Sequence, residues 1–179
     1  MPELAIAVLG PDRPGVVAAV SEALLGGAAA AGGGNLTDAS MTVLRGQFAM
    51  TLVVDVALDE EQAARLLAPV AAALGLRVSV RAADPEPDLP RPPSVPYVLR
   101  LHGADRPGLV HRATALLAGY DANITDLTTR LVGGDVYVML VSVDVPTSAP
   151  VDGLVHAVAE LAAELQVEAS LRPADSDVL

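Results

Sequence analysis

The sequence predicts an α+β protein made of two copies of one module, each with the order strand, helix, strand, strand, helix, strand. Two duplicated motifs support this prediction. Asp-Arg-Pro-Gly occupies residues 12–15 and 105–108, and Asn-(Leu/Ile)-Thr-Asp occupies residues 35–38 and 123–126. Because both motifs recur in the same order between similar apolar runs, the chain contains an internal repeat, and each motif is a candidate half-site for a small polar ligand.

Composition agrees with two small modules whose interiors are built from short side chains. The chain has 179 residues, of which 52% are hydrophobic but only 2% aromatic. Alanine, valine and leucine must therefore fill the interior, which suits helices packed closely on a sheet. A module of this size buries only about 60–65% of its unfolded surface, so we expect the two modules to pack together.

The first half of module one predicts a strand, a helix and a hairpin. Residues 4–9 are a short apolar run, typical of a buried strand. The apolar residues after the first Asp-Arg-Pro-Gly recur at helical spacing, and Gly26-Gly27 is expected to end that helix. A flexible Ala- and Gly-rich stretch over 28–34 should precede a strand at 41–44. The strict alternation over 48–56 predicts the next strand.

The second half of module one predicts a capped helix and a final strand. Asp59 and Gln62 have the spacing of a capping box, and the helical stripe continues to residue 74. Pro69 conflicts with this helix, since an interior proline costs about 3 kcal/mol, so the helix either kinks or restarts there. Residues 76–81 alternate as a strand.

Module two repeats this order. The predicted elements are a strand at 98–102, a helix at 109–117, a hairpin of 127–132 and 136–145, a helix at 154–165 and a strand at 167–172. We therefore place the domains at 1–82 and 97–173. Residues 83–96 form an extended proline-rich linker between them, and 174–179 a polar tail.

Charge and cysteine content exclude several classes of function. The formal net charge is −11, and nucleic-acid binding depends on phosphate neutralisation by Lys and Arg, so we expect no direct DNA binding. The absence of cysteine excludes disulfides, thiol catalysis and Cys-ligated zinc. An acidic N-terminus and the lack of a long apolar run predict a soluble, cytoplasmic protein with no membrane segment.

The Asp-Arg-Pro-Gly motifs are candidates for carboxylate or phosphate binding. Proline suits the first turn of a helix, the preceding aspartate can cap it, and glycine lets a ligand approach the main chain. Free amides at the helix start would then bind an anion. The alternative is a capped helix without a ligand. The candidate residues are Asp12, Arg13, Pro14 and Gly15, with Asp105, Arg106, Pro107 and Gly108.

The Asn-containing motifs are candidates for binding an amino group. Asn35 and Asn123 are expected just before the second strand of each module, where the amide can accept from an ammonium group or donate to a carboxylate. Asp38 and Asp126 add a negative charge. The alternative is that Asn and Asp only shape a left-handed turn into the strand. Together the two motif types describe a receptor for a free amino acid.

Other residues give no catalytic or metal-binding pattern. His102, His111 and His156 lack metal-ligand spacing, and the serines have no adjacent base. No dinucleotide fingerprint is present, because the Gly32–Gly34 run precedes a strand rather than a helix. We therefore expect neither an enzyme nor a cofactor or metal site.

The order of strand, Asp-Arg-Pro-Gly, helix, Asn-(Leu/Ile)-Thr-Asp, hairpin, helix and strand resembles the ACT domain over nearly all of both modules. The tandem arrangement with a proline-rich linker is similar to the glycine cleavage system transcriptional repressor family. This resemblance implies ferredoxin-like βαββαβ modules, with antiparallel sheets, helices on one face and pairing edge to edge.

The resemblance also implies a function. A small amino acid, glycine or serine as first candidates, would bind at the seam between two paired modules, with the Gly15 loop facing Asn123 and the Gly108 loop facing Asn35. The protein would then be a non-catalytic sensor that acts on a partner such as a transcription factor. Pairing within one chain or within a homodimer stays open. The alternative is a structural or oligomerisation module, or a regulatory subunit of a metabolic enzyme, that binds no ligand itself.

Overall fold

The structure is a computed structural model that describes residues 3–29, 33–83, 92–134 and 136–174. The chain divides into two compact units, and within the described residues each unit has four strands and two helices. The element order confirms the predicted α+β fold with two copies of one module. Among the described residues, no helix is long and apolar enough to cross a membrane.

The two units have the same topology. The first contains β1 (Glu3–Pro11), α1 (Val16–Ala29), β2 (Gly34–Leu44), β3 (Gln47–Val56), α2 (Glu60–Leu74) and β4 (Arg77–Ala82). The second contains β5 (Ser94–Ala104), α3 (Leu109–Ala118), β6 (Asn123–Val132), β7 (Val136–Pro146), α4 (Val151–Leu165) and β8 (Glu168–Pro173). The sheet orders are β2-β3-β1-β4 and β6-β7-β5-β8, with antiparallel pairing throughout. This is the ferredoxin-like arrangement expected from the resemblance.

Each sheet has one face covered by its two helices and one open face. In the first unit the buried strand residues pack with side chains from both helices, for example Ile6 and Leu52 with Leu24 and Leu67. The predicted alternation of β3 is confirmed, because every second residue from Phe48 to Val56 is buried. Residues paired across antiparallel strands point to the same face. The strand register therefore assigns each side chain to the helix-covered face or to the open face.

The glycine pair in α1 does not end the helix, which continues to Ala29. The prediction of a helix end at Gly26-Gly27 is wrong because Gly27 serves helix packing. A Cβ on Gly27 would lie 2.6 Å from the Leu66 side chain of α2, whereas a Cβ on Gly26 would meet nothing within 4 Å. Residues 30–32 of the predicted flexible stretch lie outside the described residues.

The capping box of α2 is confirmed. The Gln62 amide donates to Oδ1 of Asp59 over 2.7 Å, and the Asp59 amide donates to Oε1 of Gln62 over 2.9 Å. The helix passes through Pro69 without restarting, so the alternative of a restart is wrong. Proline has no amide hydrogen, so the Arg65 carbonyl, four residues earlier, loses its helical donor. Both residues are exposed, and water can therefore solvate this carbonyl.

Three strands begin at least four residues before the sequence pattern indicated. β6 begins at Asn123, four residues before the predicted 127–132 run. β2 begins at Gly34, seven residues before the predicted 41–44 run, because every residue of this edge strand is exposed and no alternation marks it. β5 begins at Ser94 and takes in Pro96, whose carbonyl accepts from the Ala174 amide over 2.9 Å. Three residues of the predicted linker, 94–96, thus lie in a strand. Residues 84–91 of that linker and 175–179 of the tail lie outside the described residues.

Candidate functional site

Both Asp-Arg-Pro-Gly motifs form a tight turn between a strand and a helix. The Val16 amide donates to the Arg13 carbonyl over 3.3 Å, and the Leu109 amide donates to the Arg106 carbonyl over 3.4 Å. Gly108 has φ +85° and ψ 0°, as the third residue of a type II turn requires, with proline at the second position. Gly15 has φ +89°. The two motifs are therefore structurally equivalent.

The expectation of a proline in the first helical turn, capped by the preceding aspartate, is wrong. α1 begins at Val16 and α3 at Leu109, so neither proline lies in the helical first turn. The N-cap of α3 is Gly108, without a side-chain cap. Asp105 lies three residues before Gly108 and does not cap α3, and Asp12 has the equivalent position three residues before Gly15. The cause is the Pro-Gly pair, whose type II turn delays the start of the helix until after glycine.

The turns leave backbone accessible at the helix starts. A Cβ added to Gly15 or Gly108 would meet nothing within 4 Å, so the left-handed φ and not crowding explains glycine there. The first amides of an α-helix have no intrahelical acceptor, and they carry partial positive charge. An open turn at this position can therefore receive a carboxylate.

A further duplicated glycine, which the sequence analysis missed, fixes the strand end before each turn. A Cβ on Gly10 would lie 2.7 Å from the Leu76 side chain and 3.0 Å from the Gly75 carbonyl oxygen. A Cβ on Gly103 would lie 2.6 Å from the Val167 side chain. Both glycines precede the motif glycine by the same number of residues. Gly10 and Gly103 thus hold equivalent positions in the two repeats, and this duplication was visible in the sequence beside the two motifs.

The Asn-(Leu/Ile)-Thr-Asp motifs form β-bulges. The register shifts between Leu36 and Asp38 in β2, and between Ile124 and Asp126 in β6. The extra residue is a threonine in each case. Its hydroxyl donates to a carbonyl of the neighbouring strand, Thr37 to Val53 over 3.0 Å and Thr125 to Ser142 over 3.2 Å.

The left-handed turn considered for these motifs is wrong. Among the described non-glycine residues, φ is positive only at Arg45, Asp121 and Gln166. Asn35 lies within β2 and Asn123 is the first residue of β6, so both belong to the strand and not to a turn before it. Each four-residue motif therefore forms a β-bulge in which the threonine is the extra residue.

The bulge brings the Asn and Asp of each motif to the same face. In a regular strand, residues three positions apart point to opposite faces. Here Asn35 pairs with Asp55 and Asp38 with Val53, and both partners belong to the open face. In the second unit Asn123 pairs with Asp144 and Asp126 with Ser142. An exposed amide and an exposed carboxylate therefore lie together at the start of each edge strand.

Within one unit the two motif types lie at opposite ends of the sheet. Asn35 is level with Asp55 and, through β3, with Glu3 at the start of β1. The first Asp-Arg-Pro-Gly turn follows the other end of β1, where the Asp12 amide donates to the Gly46 carbonyl over 2.9 Å. The strand from Asp38 to the hairpin spans about 20 Å at the usual rise per residue. The structure therefore does not join the predicted residues of one unit into a single site.

The edge strands that carry the Asn motifs also expose apolar side chains. On the helix-covered side of β2, Leu36, Met41 and Val43 pair with buried residues of β3, yet they are 38%, 52% and 43% exposed. On β6, Leu127 and Leu131 are 39% and 47% exposed. The opposite edges, β4 and β8, are only six residues long. Long edges with apolar side chains favour pairing with another strand.

Other polar groups form local pairs. Nε2 of His102 lies 3.2 Å from Oε2 of Glu168, and Nε2 of His156 lies 3.4 Å from Oε1 of Glu160, with all four side chains exposed. A cleft of about 440 Å³ lies beside Tyr120, Ser148 and Pro150, and none of the predicted site residues lines it. Within the described residues, no group of His, Cys, Asp and Glu is arranged to hold a metal ion.

Comparisons with known proteins agree with the fold. Over 97% of its length, the chain matches a protein of unknown function from Galdieria sulphuraria, of which 98% is covered, with 28% identity and a TM-score of 0.79. It also shares the fold of a proposed glycine cleavage system transcriptional repressor, at 18% identity and a TM-score of 0.66, covering 96% of each chain.

A curated relative matches a shorter region. A UPF0237 protein of Methanopyrus kandleri is 42% identical over 55 residues, which are 31% of this chain and 56% of that protein. The chain thus spans about half the length of this relative.

The family model for the ACT domain matches the chain twice, over residues 3–81 and 96–171. Each match covers one βαββαβ unit with its Asp-Arg-Pro-Gly turn and its Asn-(Leu/Ile)-Thr-Asp bulge. The protein belongs to the ACT domain family.

Proposed function

We propose that the protein is a non-catalytic regulatory protein that binds a small free amino acid where two ACT units pair edge to edge. One observation carries this proposal. Each unit holds an open Asp-Arg-Pro-Gly turn at one end of its sheet and an Asn/Asp pair at the other end, so a complete site needs halves from two units.

Antiparallel pairing of the long edges supplies those halves. The first Asp-Arg-Pro-Gly turn lies beside the β2–β3 hairpin, through the bond from the Asp12 amide to the Gly46 carbonyl. If β6 runs antiparallel to β2, its first residue, Asn123, comes to this end. By the same symmetry Asn35 comes to the turn that holds Gly108. The apolar side chains of β2 and β6 would cover each other in this arrangement, which favours it.

The chemistry of such a site matches a zwitterion. Main-chain amides at a helix start favour the carboxylate. The Asp38 or Asp126 carboxylate favours the ammonium group, and the asparagine amide can bond to either end. Glycine and serine are the first candidates, because the resemblance to a glycine cleavage system transcriptional repressor favours a small amino acid.

Regulation requires that the ligand prefer one arrangement of the units. An amino acid bound to both halves stabilises the paired state, and it can shift the protein only by that difference in affinity. A protein partner that distinguishes paired from unpaired units would read this change, and a transcription factor is the partner that the repressor resemblance favours. With a net charge of −11, direct contact with DNA is disfavoured.

Isothermal titration calorimetry of the full chain against a panel of amino acids tests the proposal. We expect binding heat with glycine or serine. Asn35→Ala and Asn123→Ala should each lose the heat of one of the two sites and keep that of the other. Ser79→Ala is the matched control, because Ser79 is exposed on the same open face as Asn35 but lies on β4, at the edge away from the proposed seam. If no amino acid gives heat at millimolar concentration, the alternative of a structural module or ligand-free regulatory subunit replaces the proposal.

A further inference from the structure

The open sheet face of the second unit carries charges of alternating sign at its four corners. Asp126, Ser142, Val98 and Arg172 form one row across the sheet, through the pairing of β6, β7, β5 and β8. Two rows further along, Arg130, Val138, His102 and Glu168 form another. By strand spacing and rise, these corners mark a square with sides of about 14 Å.

The middle row of this face holds Thr128, Leu140, Arg100 and Ser170, so its centre is one leucine beside one arginine. Leu140 is 40% exposed in the middle row, between Val98 and Val138 on the neighbouring rows. Val132 and Val136 continue the apolar surface toward the hairpin and are 53% and 45% exposed. Apolar side chains inside a charged rim are the usual anatomy of a protein interface, and Arg100 in the middle row departs from it.

We propose that this face is an interface with a second copy of the same chain, related by a two-fold axis. The corner signs alternate around the square, negative at Asp126 and Glu168, positive at Arg130 and Arg172. If the axis runs along the strands, Arg130 faces Glu168 of the other copy and Asp126 faces Arg172. If the axis runs across the strands, Asp126 faces Arg130 and Arg172 faces Glu168. Opposite charges meet at every corner in both cases, but an axis across the strands also places Arg100 opposite Arg100 of the other copy, so the axis along the strands is favoured.

Charge balance favours a second copy on this face. Each chain has a net charge of −11, so two copies repel over most of their surfaces. On this face the charges cancel, with three arginines (Arg100, Arg130, Arg172) and three acidic residues (Asp126, Asp144, Glu168). Two-fold interfaces need such self-complementarity, because the same patch is used on both copies.

The first unit lacks this pattern. The corresponding corners of its open face are Asp38, Arg81, Thr42 and Arg77. Arginines occupy both corners on β4, so stacking across the strands would place like charges opposite each other. Its middle row holds Ala7 and Thr51 where the second unit has Arg100 and Leu140. Only the second unit therefore pairs opposite charges at all four corners.

A face of four strands has an area on the order of 600 Å² on each copy. This is near the lower end for specific interfaces, so the fraction of dimer should depend on protein concentration. Sedimentation velocity of the full chain over a concentration series measures it. We expect wild type to reach the mass of a dimer and Arg172→Glu to sediment with half that mass. Leu140→Asn, which removes apolar surface from the centre, should also weaken the dimer.

Two double variants test the charge pairing itself. Arg130→Glu with Glu168→Arg keeps opposite charges together only for an axis along the strands, and Arg172→Glu with Glu168→Arg only for an axis across them. One of the two should restore the dimer. Arg77→Glu, on the first unit, is the matched control and should leave the mass unchanged, while circular dichroism verifies that each variant is folded.

The proposal is overturned if wild type is monomeric at every concentration, if Arg172→Glu and Leu140→Asn both keep the dimer, or if neither double variant restores it. This inference does not depend on amino-acid binding. Calorimetry can show no ligand while the dimer persists, and ligand binding can persist in Arg172→Glu.

Discussion

Arg106 in the second Asp-Arg-Pro-Gly turn donates a hydrogen bond from Nη2 to Oε1 of Gln166 over 2.7 Å. Gln166 ends α4 in the left-handed conformation, with φ +53°. The position that ends α2 in the first unit is Gly75, which has no side chain to accept such a bond. The two repeats therefore support their turns differently, although the turns have the same backbone shape.

This difference predicts an energetic coupling between Arg106 and Gln166. Gln166→Gly should stabilise the chain by about 1 kcal/mol through its left-handed φ, but lose a hydrogen bond that contributes about 0.5 kcal/mol between exposed groups. In the Arg106→Ala background only the first effect should remain. Urea unfolding of both single variants and the double variant measures the coupling. A coupling of zero would mean that the bond contributes nothing in solution.

The neighbouring glycines of α1 should respond in opposite ways to alanine. Gly26→Ala meets open space and should stabilise the first unit by about 0.5–1 kcal/mol, the usual gain in a helix. Gly27→Ala gains the same propensity, but its Cβ would lie 2.6 Å from Leu66, and such overpacking costs about 1–3 kcal/mol. Denaturant unfolding compares the two. Equal effects would show that α1 and α2 are not in close contact at this point.

The capping box of α2 should be worth more than the exposed ion pair one turn away. Asp59→Ala removes the acceptor of the Gln62 amide and should lower the free energy of unfolding by about 1 kcal/mol. Glu61→Ala removes the ion pair between Arg65, which is 61% exposed, and Glu61, which is 81% exposed, and should cost about 0.5 kcal/mol or less. Thermal unfolding of both variants ranks them, and the reverse order would contradict the structural role of the cap.

The fold was predictable because buried strands and amphipathic helices leave periodic patterns. The alternation from Phe48 to Val56 follows directly from one covered sheet face. β2 leaves no such pattern, since all of its residues are exposed, and its start at Gly34 was therefore missed. Gly26-Gly27 looked like a helix end because only the tertiary contact with Leu66 shows why glycine is needed within the helix.

The candidate site was predictable only in its parts. The duplicated motifs identified the residues, but Pro-Gly is compatible with both a helical first turn and a type II turn, and sequence spacing does not choose between them. The bulge at Thr37 and Thr125 was also hidden, because it depends on pairing with β3 and β7. That the two motifs of one unit lie at opposite ends of its sheet follows from strand register alone.

Deleting Thr125 tests whether binding needs the bulge itself or only the shared face of Asn123 and Asp126. Without the extra residue β6 pairs with β7 in regular register, with Ile124 still opposite Val143 and Asp126 still opposite Ser142. Asn123 therefore stays on the open face beside Asp126. We expect the variant to fold with a modest loss of stability and to keep the amino-acid site that contains Asn123, measured by calorimetry. Thr125→Val separates the two contributions, because it keeps the bulge and removes only the bond to the Ser142 carbonyl, at a cost of about 1 kcal/mol. If the folded deletion variant loses ligand binding, a shared face of Asn123 and Asp126 is not sufficient for binding, and the proposed site geometry is wrong.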